Sequence, residues 1–318
     1  MILAGDIGGT KTHLALFDRD DVRRPVHLAT YGSREHAGLE AMIEAFLSEH
    51  PAGVRNACFG VAGPVRDGRT ESVNLAWMVD SARIAELLGL PRVGLINDLE
   101  ANARGIAALG PDDFAVLNEG DAVATGNRAV ISAGTGLGEG GLYWDGERHR
   151  PFASEGGHAD FAPRSELEIE LYRFLAAEHE HVSYERVCSG MGIANIFRFL
   201  LHAGSLPAPA WYREPPDPAA IASAALEGRD ETASRTLDLF SSIYGAKAGN
   251  LALTLMATGG VYLGGGIAPK ILPKLEEGAF MRAFVDKGRL SGLLEQIPVR
   301  VILNDRTALL GAALCATG

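Results

Sequence analysis

The chain opens with Ile2-Leu3-Ala4-Gly5-Asp6-Ile7-Gly8-Gly9-Thr10, which is followed by a second apolar run, Leu14-Ala15-Leu16-Phe17. Two apolar runs joined by a Gly-Gly-Thr segment predict a β-hairpin whose tip carries almost no side chains. Unshielded backbone N–H groups at a tight turn form a pocket for an anion. Because a carboxylate beside such a pocket suits a hydrated Mg²⁺ next to a phosphate, we expect Asp6 to lie near Mg²⁺, through water.

A second stretch, Ala129-Val130-Ile131-Ser132-Ala133-Gly134-Thr135-Gly136-Leu137-Gly138, repeats this plan near mid-chain without the Asp, and leads into the strand-like run Gly141–Trp144. A third glycine cluster, Gly264-Gly265-Gly266, follows the apolar run Val261–Leu263. Together the three clusters predict phosphate binding. The chain has no GxxxxGK[ST] motif and no GxGxxG that opens a helix after the first strand, which disfavours a Walker-type loop and a dinucleotide fold.

Composition limits the classes of partner. The 318 residues are enough for two domains, and 47% hydrophobic with 22% charged residues is typical of a globular protein. The net charge of -11 argues against a nucleic-acid or membrane-surface partner. The three cysteines lack metal-ligand or redox spacing, and no apolar run reaches the ~20 residues of a membrane span. We therefore expect free thiols and a cytoplasmic protein.

Strand-like and helical segments alternate over the first third of the chain, which predicts an α/β fold with a mostly parallel sheet covered by helices. A second sheet and a helical region follow, and a proline-rich loop is expected over residues 205–218. The pattern indicates two α/β units, each starting with a glycine-tipped hairpin, with the ligand in a crevice between them. The predicted strands are Ile2–Gly5, His13–Phe17, Val26–Thr30, Ala57–Val61, Val93–Ile96, Ala115–Leu117, Ala129–Ala133, Gly141–Trp144, His149–Phe152, Val261–Leu263 and Val299–Leu303.

Asn97 and Asp98 follow a predicted strand at the point where a helix begins. Either residue can simply cap that helix. The alternative is functional, because α/β folds bind ligands at the carboxyl ends of strands. There Asp98 could accept a proton from a substrate hydroxyl while Asn97 holds a neighbouring hydroxyl.

The segment Ser154-Glu155-Gly156-Gly157-His158-Ala159-Asp160 places three ionisable groups around two glycines. It can be a polar turn, a metal site or a clamp for a polyol. No cysteine or second histidine nearby has ligand spacing, which disfavours the metal. Glutamate accepts from hydroxyls, histidine donates or accepts, and the glycines let a ring approach the backbone, so the polyol clamp is favoured. Glu185, Asn74 and Trp77 carry no signal by themselves.

These segments together resemble the bacterial ATP-dependent glucokinase family, within the hexokinase, Hsp70 and actin superfamily, nearly from end to end. The resemblance implies a two-domain actin-like ATPase (ribonuclease H-like) fold with the active site in the interdomain cleft. It is carried by Asp6–Thr10, Ala62-Gly63-Pro64-Val65, Asn74…Trp77, Ile96-Asn97-Asp98, Ala133–Gly138, Glu155–Pro163, Glu185-Arg186-Val187-Cys188-Ser189-Gly190 and Gly264–Ile267.

The resemblance implies that ATP phosphorylates the 6-hydroxyl of glucose, with Asp98 as general base and a homodimer as the usual assembly. The domains would be 1–108 with 303–318, and 109–302. Glucose would be bound by Asn97, Asp98, Glu155, His158, Glu185, Gly63 and Asn74. ATP would be bound by Asp6, Gly8, Gly9, Thr10, Lys11, Gly134, Thr135, Gly136, Gly264, Gly265 and Gly266, with Mg²⁺ near Asp6.

Three residues depart from the family's usual pattern: Lys11 in place of Asn, Leu99 in place of Phe, and Ser154 in place of Gly. Gly-Gly-Thr-Lys is closer to the ROK group of sugar kinases and repressors, whose zinc-binding cysteines are absent here. The alternatives are therefore a ROK-like kinase for another hexose or an N-acetylhexosamine, a sugar-responsive repressor, and an actin- or chaperone-like ATPase. The acidic charge disfavours the repressor, and Asn97-Asp98 together with the Glu155–His158 cluster disfavours the ATPase.

Overall fold

The structure is a computed structural model that describes residues 1–70, 77–121, 125–204 and 207–317. Its packing divides the chain into two compact units. The first unit comprises Met1–Asp113 with Asn304–Gly318, and the second comprises Phe114–Leu303. The domain limits expected from the resemblance, at 108 and 302, stay a prediction.

The first unit is built on a sheet with strand order β3-β2-β1-β4-β7. Strands β1, β4 and β7 are parallel, whereas β1, β2 and β3 form an antiparallel meander. The expectation of a mostly parallel sheet is therefore wrong, because the short connection Gly8–Thr10 joins β1 to β2 and so short a connection permits only antiparallel pairing. The strands are β1 (Ile2–Ile7), β2 (Lys11–Phe17), β3 (Pro25–Gly32), β4 (Asn56–Val61), a small pair β5 (Arg69–Thr70) and β6 (Val79–Asp80), and β7 (Gly94–Asn97).

Helices cover both faces of this sheet. One face packs on α1 and α2 through residues such as Met42, Phe46 and Ile84, and the other face packs on α3 and α11. Helices α3 and α11 lie very close together: a Cβ at Gly105 or Gly311 would overlap the backbone of the partner helix. The helices are α1 (Leu39–Glu49), α2 (Ser81–Leu88), α3 (Asp98–Gly105) and α11 (Thr307–Thr317).

The second unit is built on a mixed sheet with strand order β11-β10-β9-β12-β13-β8. Its glycine hairpin joins β9 to β10, and β12 pairs in parallel with both β9 and β13. The unit begins with β8, which pairs with β13, so the expectation that this unit starts with its hairpin is wrong. The strands are β8 (Phe114–Asn118), β9 (Arg128–Ala133), β10 (Leu137–Trp144), β11 (His149–Ser154), β12 (Val261–Gly264) and β13 (Val299–Ile302).

A layer of helices packs against this second sheet. The long α7 lies across the core, with Phe240 and Tyr244 fully buried. Ser165 caps α4 by accepting a hydrogen bond from the Glu168 N–H. No helix in the described ranges is both long and apolar enough to cross a membrane. The helices are α4 (Glu166–Ala176), α5 (Gly190–Ala203), α6 (Pro218–Leu226), α7 (Glu231–Leu255), α8 (Leu272–Glu276), α9 (Ala279–Val285) and α10 (Ser291–Glu295).

Candidate active site

The first glycine turn connects β1 to β2 and is held by a buried serine. The Gly8 N–H donates to the Lys11 carbonyl at 2.9 Å, which closes the turn. Ser33 Oγ donates to the Gly8 carbonyl at 2.7 Å, and the Ser33 N–H donates to the Thr10 carbonyl at 3.0 Å. Gly8 and Gly9 are partly exposed, and Thr10 and Lys11 are exposed. Ser33 thus shapes the turn, although no sequence motif marks it.

Asn97 ends β7 and caps α3, as one of the two readings of this position predicted. Its Oδ1 accepts a hydrogen bond from the Leu99 N–H at 2.9 Å. Its Nδ2 donates to the Gly63 carbonyl at 2.9 Å, at a residue whose φ of 123° suits glycine. Asp98 Oδ1 also accepts from the Leu99 N–H, at 3.0 Å. The cap therefore fixes Asp98 and ties it to the loop that contains Gly63.

Two acidic residues from the strand ends interact in the first unit. Asp6 lies near the end of β1, and Asp98 follows β7. Burial raises the pKa of Asp6 to about 7, and the negative charge of Asp98 contributes to the rise. Carboxylates at the edge of a sheet form an oxygen donor set that suits a hydrated divalent cation. The structure therefore brings together the residues predicted for base catalysis and for Mg²⁺.

The second glycine turn connects β9 to β10 and is held by residues that follow in the chain. The Gly134 N–H donates to the Gly136 carbonyl at 2.9 Å, and the Gly190 N–H donates to the Gly134 carbonyl at 2.8 Å. Glu185 Oε2 accepts a hydrogen bond from the Leu137 N–H at 2.9 Å. A Cβ added to Gly134 would meet no atom within 4 Å. The turn therefore leaves open space above bare backbone.

The third glycine cluster lies beside the second turn. Gly264 ends β12 opposite Ser132 of β9, and the Ile267 N–H donates to the Ala133 carbonyl at 3.1 Å. Gly265 has a φ of 78°, and a Cβ there would overlap the backbone of Ala133. Only glycine lets the two segments approach this closely. The predicted second and third phosphate-binding clusters are thus neighbours in space.

A largely apolar cavity of about 420 Å³ adjoins these glycines. Gly134 and Thr135 form part of its wall, and the exposed Lys270 lies at it. Apolar walls beside unshielded backbone donors suit a flat heteroaromatic group joined to a phosphate. The sequence does not predict this cavity, because its lining is spread over distant segments. The apolar lining residues include Met191, Ile193, Pro218, Ala222, Ile267 and Ile271.

The cluster predicted to clamp a polyol also lies in the second unit. Glu155 precedes the 3₁₀ turn Gly156–His158, and its Oε2 lies 4.0 Å from His158 Nε2. Glu185 lies on the 3₁₀ turn Tyr184–Arg186, and His158 and Glu185 line one polar cavity of about 370 Å³. The structure thus brings Glu155, His158 and Glu185 together.

Metal binding at the Glu155–His158 segment was the disfavoured hypothesis. Across the described ranges, no group of three or more His, Cys, Asp or Glu side chains is arranged to hold a metal ion. Asn74, another predicted sugar ligand, lies outside the described residues. Trp77 is described, and its indole N–H donates to the Ser33 carbonyl at 3.1 Å.

The fold places the chain in a class with known sugar kinases. A crystal structure of glucokinase from an Antarctic psychrotroph matches 99% of this chain and 98% of its own, with a TM-score of 0.88 and 32% identity. A ROK family glucokinase from Streptomyces griseus, solved with glucose and AMPPNP, shares the fold at 22% identity, with a TM-score of 0.67 over 99% and 98% of the chains. The chain therefore has the fold of these sugar kinases.

The family follows from two further comparisons. The glucokinase family model matches residues 3–318. The glucokinase of Synechocystis sp. is 44% identical over 99% of this chain and 97% of its own length. The chain belongs to the glucokinase family of ATP-dependent hexose kinases.

Proposed function

We propose that this enzyme transfers the γ-phosphoryl group of ATP to the 6-hydroxyl of D-glucose, giving glucose 6-phosphate and ADP. One observation carries the proposal. Glu185 lies at the polar cavity, and its carboxylate also accepts a hydrogen bond from the backbone of the second glycine turn. A single side chain therefore links the surface suited to a phosphate with the surface suited to a polyol.

ATP binding is assigned to both glycine turns. In the second unit, the apolar cavity takes the adenine and ribose, and Gly134–Gly136 with Gly264–Gly266 surround the phosphates. In the first unit, the turn Gly8–Lys11 provides further donors to the phosphates. Backbone N–H groups in these turns stabilise the charge of the transferred phosphoryl group without reorganising.

The sugar hydroxyls are assigned to Glu155, His158 and Glu185, with Asn97 and the loop at Gly63 on the first unit. We include Asn74 by resemblance alone. Carboxylates and an imidazole can accept or donate to each hydroxyl of the ring, so they fix which hydroxyl faces the phosphate. This positioning is expected to supply much of the rate enhancement.

Asp98 is assigned as the general base. Its position at the start of α3 is fixed by the Asn97 cap, so the carboxylate can orient the 6-hydroxyl and take its proton as the new P–O bond forms. Mg²⁺, bound through water near Asp6, would neutralise charge on the phosphate oxygens. The donor set fits, because Asp6 is partly buried beside the second carboxylate, Asp98.

We further propose that the fold is the two-domain actin-like ATPase fold and that the reaction takes place in the cleft between the domains. The support is the distribution of motifs, since each unit carries one glycine hairpin and part of the sugar set. A homodimer and a cytoplasmic location are part of the same proposal, through the family resemblance.

A coupled assay for ADP tests the proposal with five acceptors: glucose, mannose, fructose, galactose and N-acetylglucosamine. We expect glucose to have the highest kcat/KM and the product to carry the phosphate on the 6-oxygen, as read by ³¹P NMR. A higher kcat/KM for N-acetylglucosamine or another hexose would refute glucose as the preferred substrate and would favour the ROK-like kinase. ATP turnover that no sugar stimulates would refute sugar phosphorylation altogether.

A further inference from the structure

A buried ion pair lies beneath the sugar cluster of the second unit. Lys247 Nζ of α7 is 3.0 Å from Glu139 Oε1 of β10, and the two side chains are 9% and 1% exposed. Burying two charges costs several kcal/mol per ion before their attraction is counted. A protein with such a pair is often no more stable than one with an apolar pair of similar volume. We therefore look for a functional role of the pair in what its two side chains contact.

The Glu139 carboxylate supports the turn that carries two of the sugar ligands. A Cβ added to Gly156 would overlap Glu139 Oε2, so this carboxylate lies directly against the Gly156 backbone. The next residue, Gly157, is equally close to the backbone carbonyl of Leu137, two residues before Glu139 on the same strand. The turn between Glu155 and His158 therefore packs directly on the Glu139 side chain and on the backbone of β10.

The Lys247 ammonium supports the neighbouring turn. Lys247 Nζ lies 4.6 Å from the centroid of the Tyr184 ring, in a cation–π contact. The Tyr184 N–H donates to the Ala159 carbonyl at 3.0 Å, and Asn250 Nδ2 donates to Tyr184 Oη at 3.2 Å. Because Tyr184 immediately precedes Glu185, its ring fixes the start of the turn that presents the third sugar ligand.

We propose that Glu139 and Lys247 are positioning residues that hold the turns Gly156–His158 and Tyr184–Arg186 at the spacing that glucose requires, and thereby set the affinity for the sugar. The inference rests on the proposed function. We assign neither residue a direct contact with the sugar; each acts through the backbone or ring that it contacts. Because Glu139 lies against Gly156 and Lys247 against the Tyr184 ring, the pair acts on the sugar side more directly than on the nucleotide cavity.

Burial and charge predict how each variant will behave. Burial raises the pKa of Glu139, and the Lys247 ammonium opposes that rise. Lys247→Met keeps the side-chain length but leaves the Glu139 carboxylate without its cation. That carboxylate, which lies against the turn Gly156–His158, is then expected to change its protonation and position. Glu139→Gln keeps the shape but leaves the ammonium buried without its anion. The double variant Glu139→Gln/Lys247→Met leaves neither charge uncompensated.

The test measures kcat, KM for glucose, KM for ATP and Tm of these three variants. Each single variant is expected to raise KM for glucose by about 10-fold or more, since small misplacements of binding groups are costly. KM for ATP should change by less than about twofold, because the adenine cavity is lined by other segments. The double variant should still raise KM for glucose, because the carboxylate under one turn and the ammonium under the other are both lost, but by less than the product of the two single effects.

Leu237→Ala is the matched control, since Leu237 is fully buried on the same helix, α7. It should lower Tm and leave KM for glucose unchanged. A similar rise of KM for glucose in this control would show that loss of stability alone moves KM, and would overturn the positioning role. If the single variants do not fold, the double variant decides: a wild-type KM for glucose overturns the proposal.

The two proposals can fail separately. A wild-type enzyme that does not phosphorylate glucose refutes the proposed function. A wild-type enzyme that does, with folded Glu139 and Lys247 variants whose KM for glucose is unmoved, refutes only the positioning role. Equal rises in KM for glucose and for ATP would also refute it.

Discussion

The two glycine turns have the same strand–turn–strand plan but are stabilised in different ways. The first is held by Ser33, a neutral hydroxyl that is fully buried and donates to the Gly8 carbonyl. The second is held by Glu185, a charged and partly exposed side chain that accepts from the Leu137 N–H. A support that is buried serves the shape of the turn alone, whereas one that is exposed can also contact a ligand.

The acidic side chains of the two units also differ in their surroundings. In the first unit, Asp6 and Asp98 lie at strand ends and interact with each other. In the second unit, His158 and Glu185 line open polar space, and Glu155 lies beside His158. We interpret the first unit as the supplier of the chemistry and the second as the supplier of most of the binding. Changes in the first should lower kcat, and changes in the second should raise KM.

The largest effect is expected from Asp98→Asn. The amide cannot take a proton, but its oxygen can still accept from the Leu99 N–H, so the start of α3 is preserved. We expect kcat to fall by about 10²- to 10⁴-fold, the usual contribution of a general base, with little change in KM for glucose. Steady-state kinetics with calorimetric glucose binding measure both. Near-normal kcat would remove Asp98 from the base role.

Glu100→Gln is the control for that variant. Glu100 lies in the same helical turn and pairs with Arg104 Nη2 at 2.9 Å on a partly exposed surface. We expect kcat within about twofold of wild type, because such a pair contributes little even to stability. If the control lost as much kcat as Asp98→Asn, the loss would reflect the charge or packing of α3 rather than proton transfer.

Gly134→Ala tests the assignment of the second unit to binding. The added methyl meets no protein atom within 4 Å, so stability should be unchanged, but it occupies the space assigned to phosphate. We expect KM for ATP to rise roughly 10-fold, since one methyl in a tight site is worth about 1–3 kcal/mol. Gly292→Ala, with equally open surroundings, should leave KM for ATP unchanged. An unchanged KM in Gly134→Ala would contradict phosphate binding at this turn.

Ser33→Ala tests whether the first turn depends on its buried support. The variant removes the donor to the Gly8 carbonyl and the partner of Thr12 Oγ1, which lies 3.0 Å from Ser33 Oγ. We expect the free energy of unfolding to fall by about 1–3 kcal/mol, measured by urea denaturation. Ser48→Ala loses only an exposed hydrogen bond and should cost less than about 0.5 kcal/mol. Equal losses would mean that the Ser33 hydroxyl has no special role.

What the sequence predicted well was local. Both glycine hairpins are confirmed, because apolar runs flanking a Gly-rich segment encode the turn within about ten residues. The helix cap at Asn97 is confirmed for the same reason. Activity followed from the resemblance and not from these local signals.

What the sequence did not predict depends on distant segments that meet only in the folded chain. Ser33, the apolar cavity and the Glu139–Lys247 pair join residues separated by 25 to more than 100 positions, and no periodicity marks such a contact. The mostly parallel first sheet was a wrong prediction, since alternation of strands and helices does not reveal which consecutive strands pair as a meander.

The smallest expected effect concerns the cysteines, whose environments also differ between the units. In the first unit, a hydrogen bond with Cys58 lowers the pKa of the partly buried Cys315 below that of a free thiol. In the second unit, burial raises the pKa of Cys188. Because the thiolate is the nucleophile, alkylation of Cys315 by iodoacetamide should accelerate and level off at a lower pH than that of a free thiol, while Cys188 stays unmodified until the protein unfolds.

Peptide mass spectrometry over a pH series measures both alkylation rates in the native enzyme. Cys58→Ala should shift the midpoint for Cys315 upward, toward the value of about 8.5 for a free thiol, because the hydrogen bond that favours the thiolate is gone. An unshifted midpoint would place the cause of the lowered pKa elsewhere. Equal labelling of Cys315 and Cys188 would contradict the expected difference in thiol pKa between the two units.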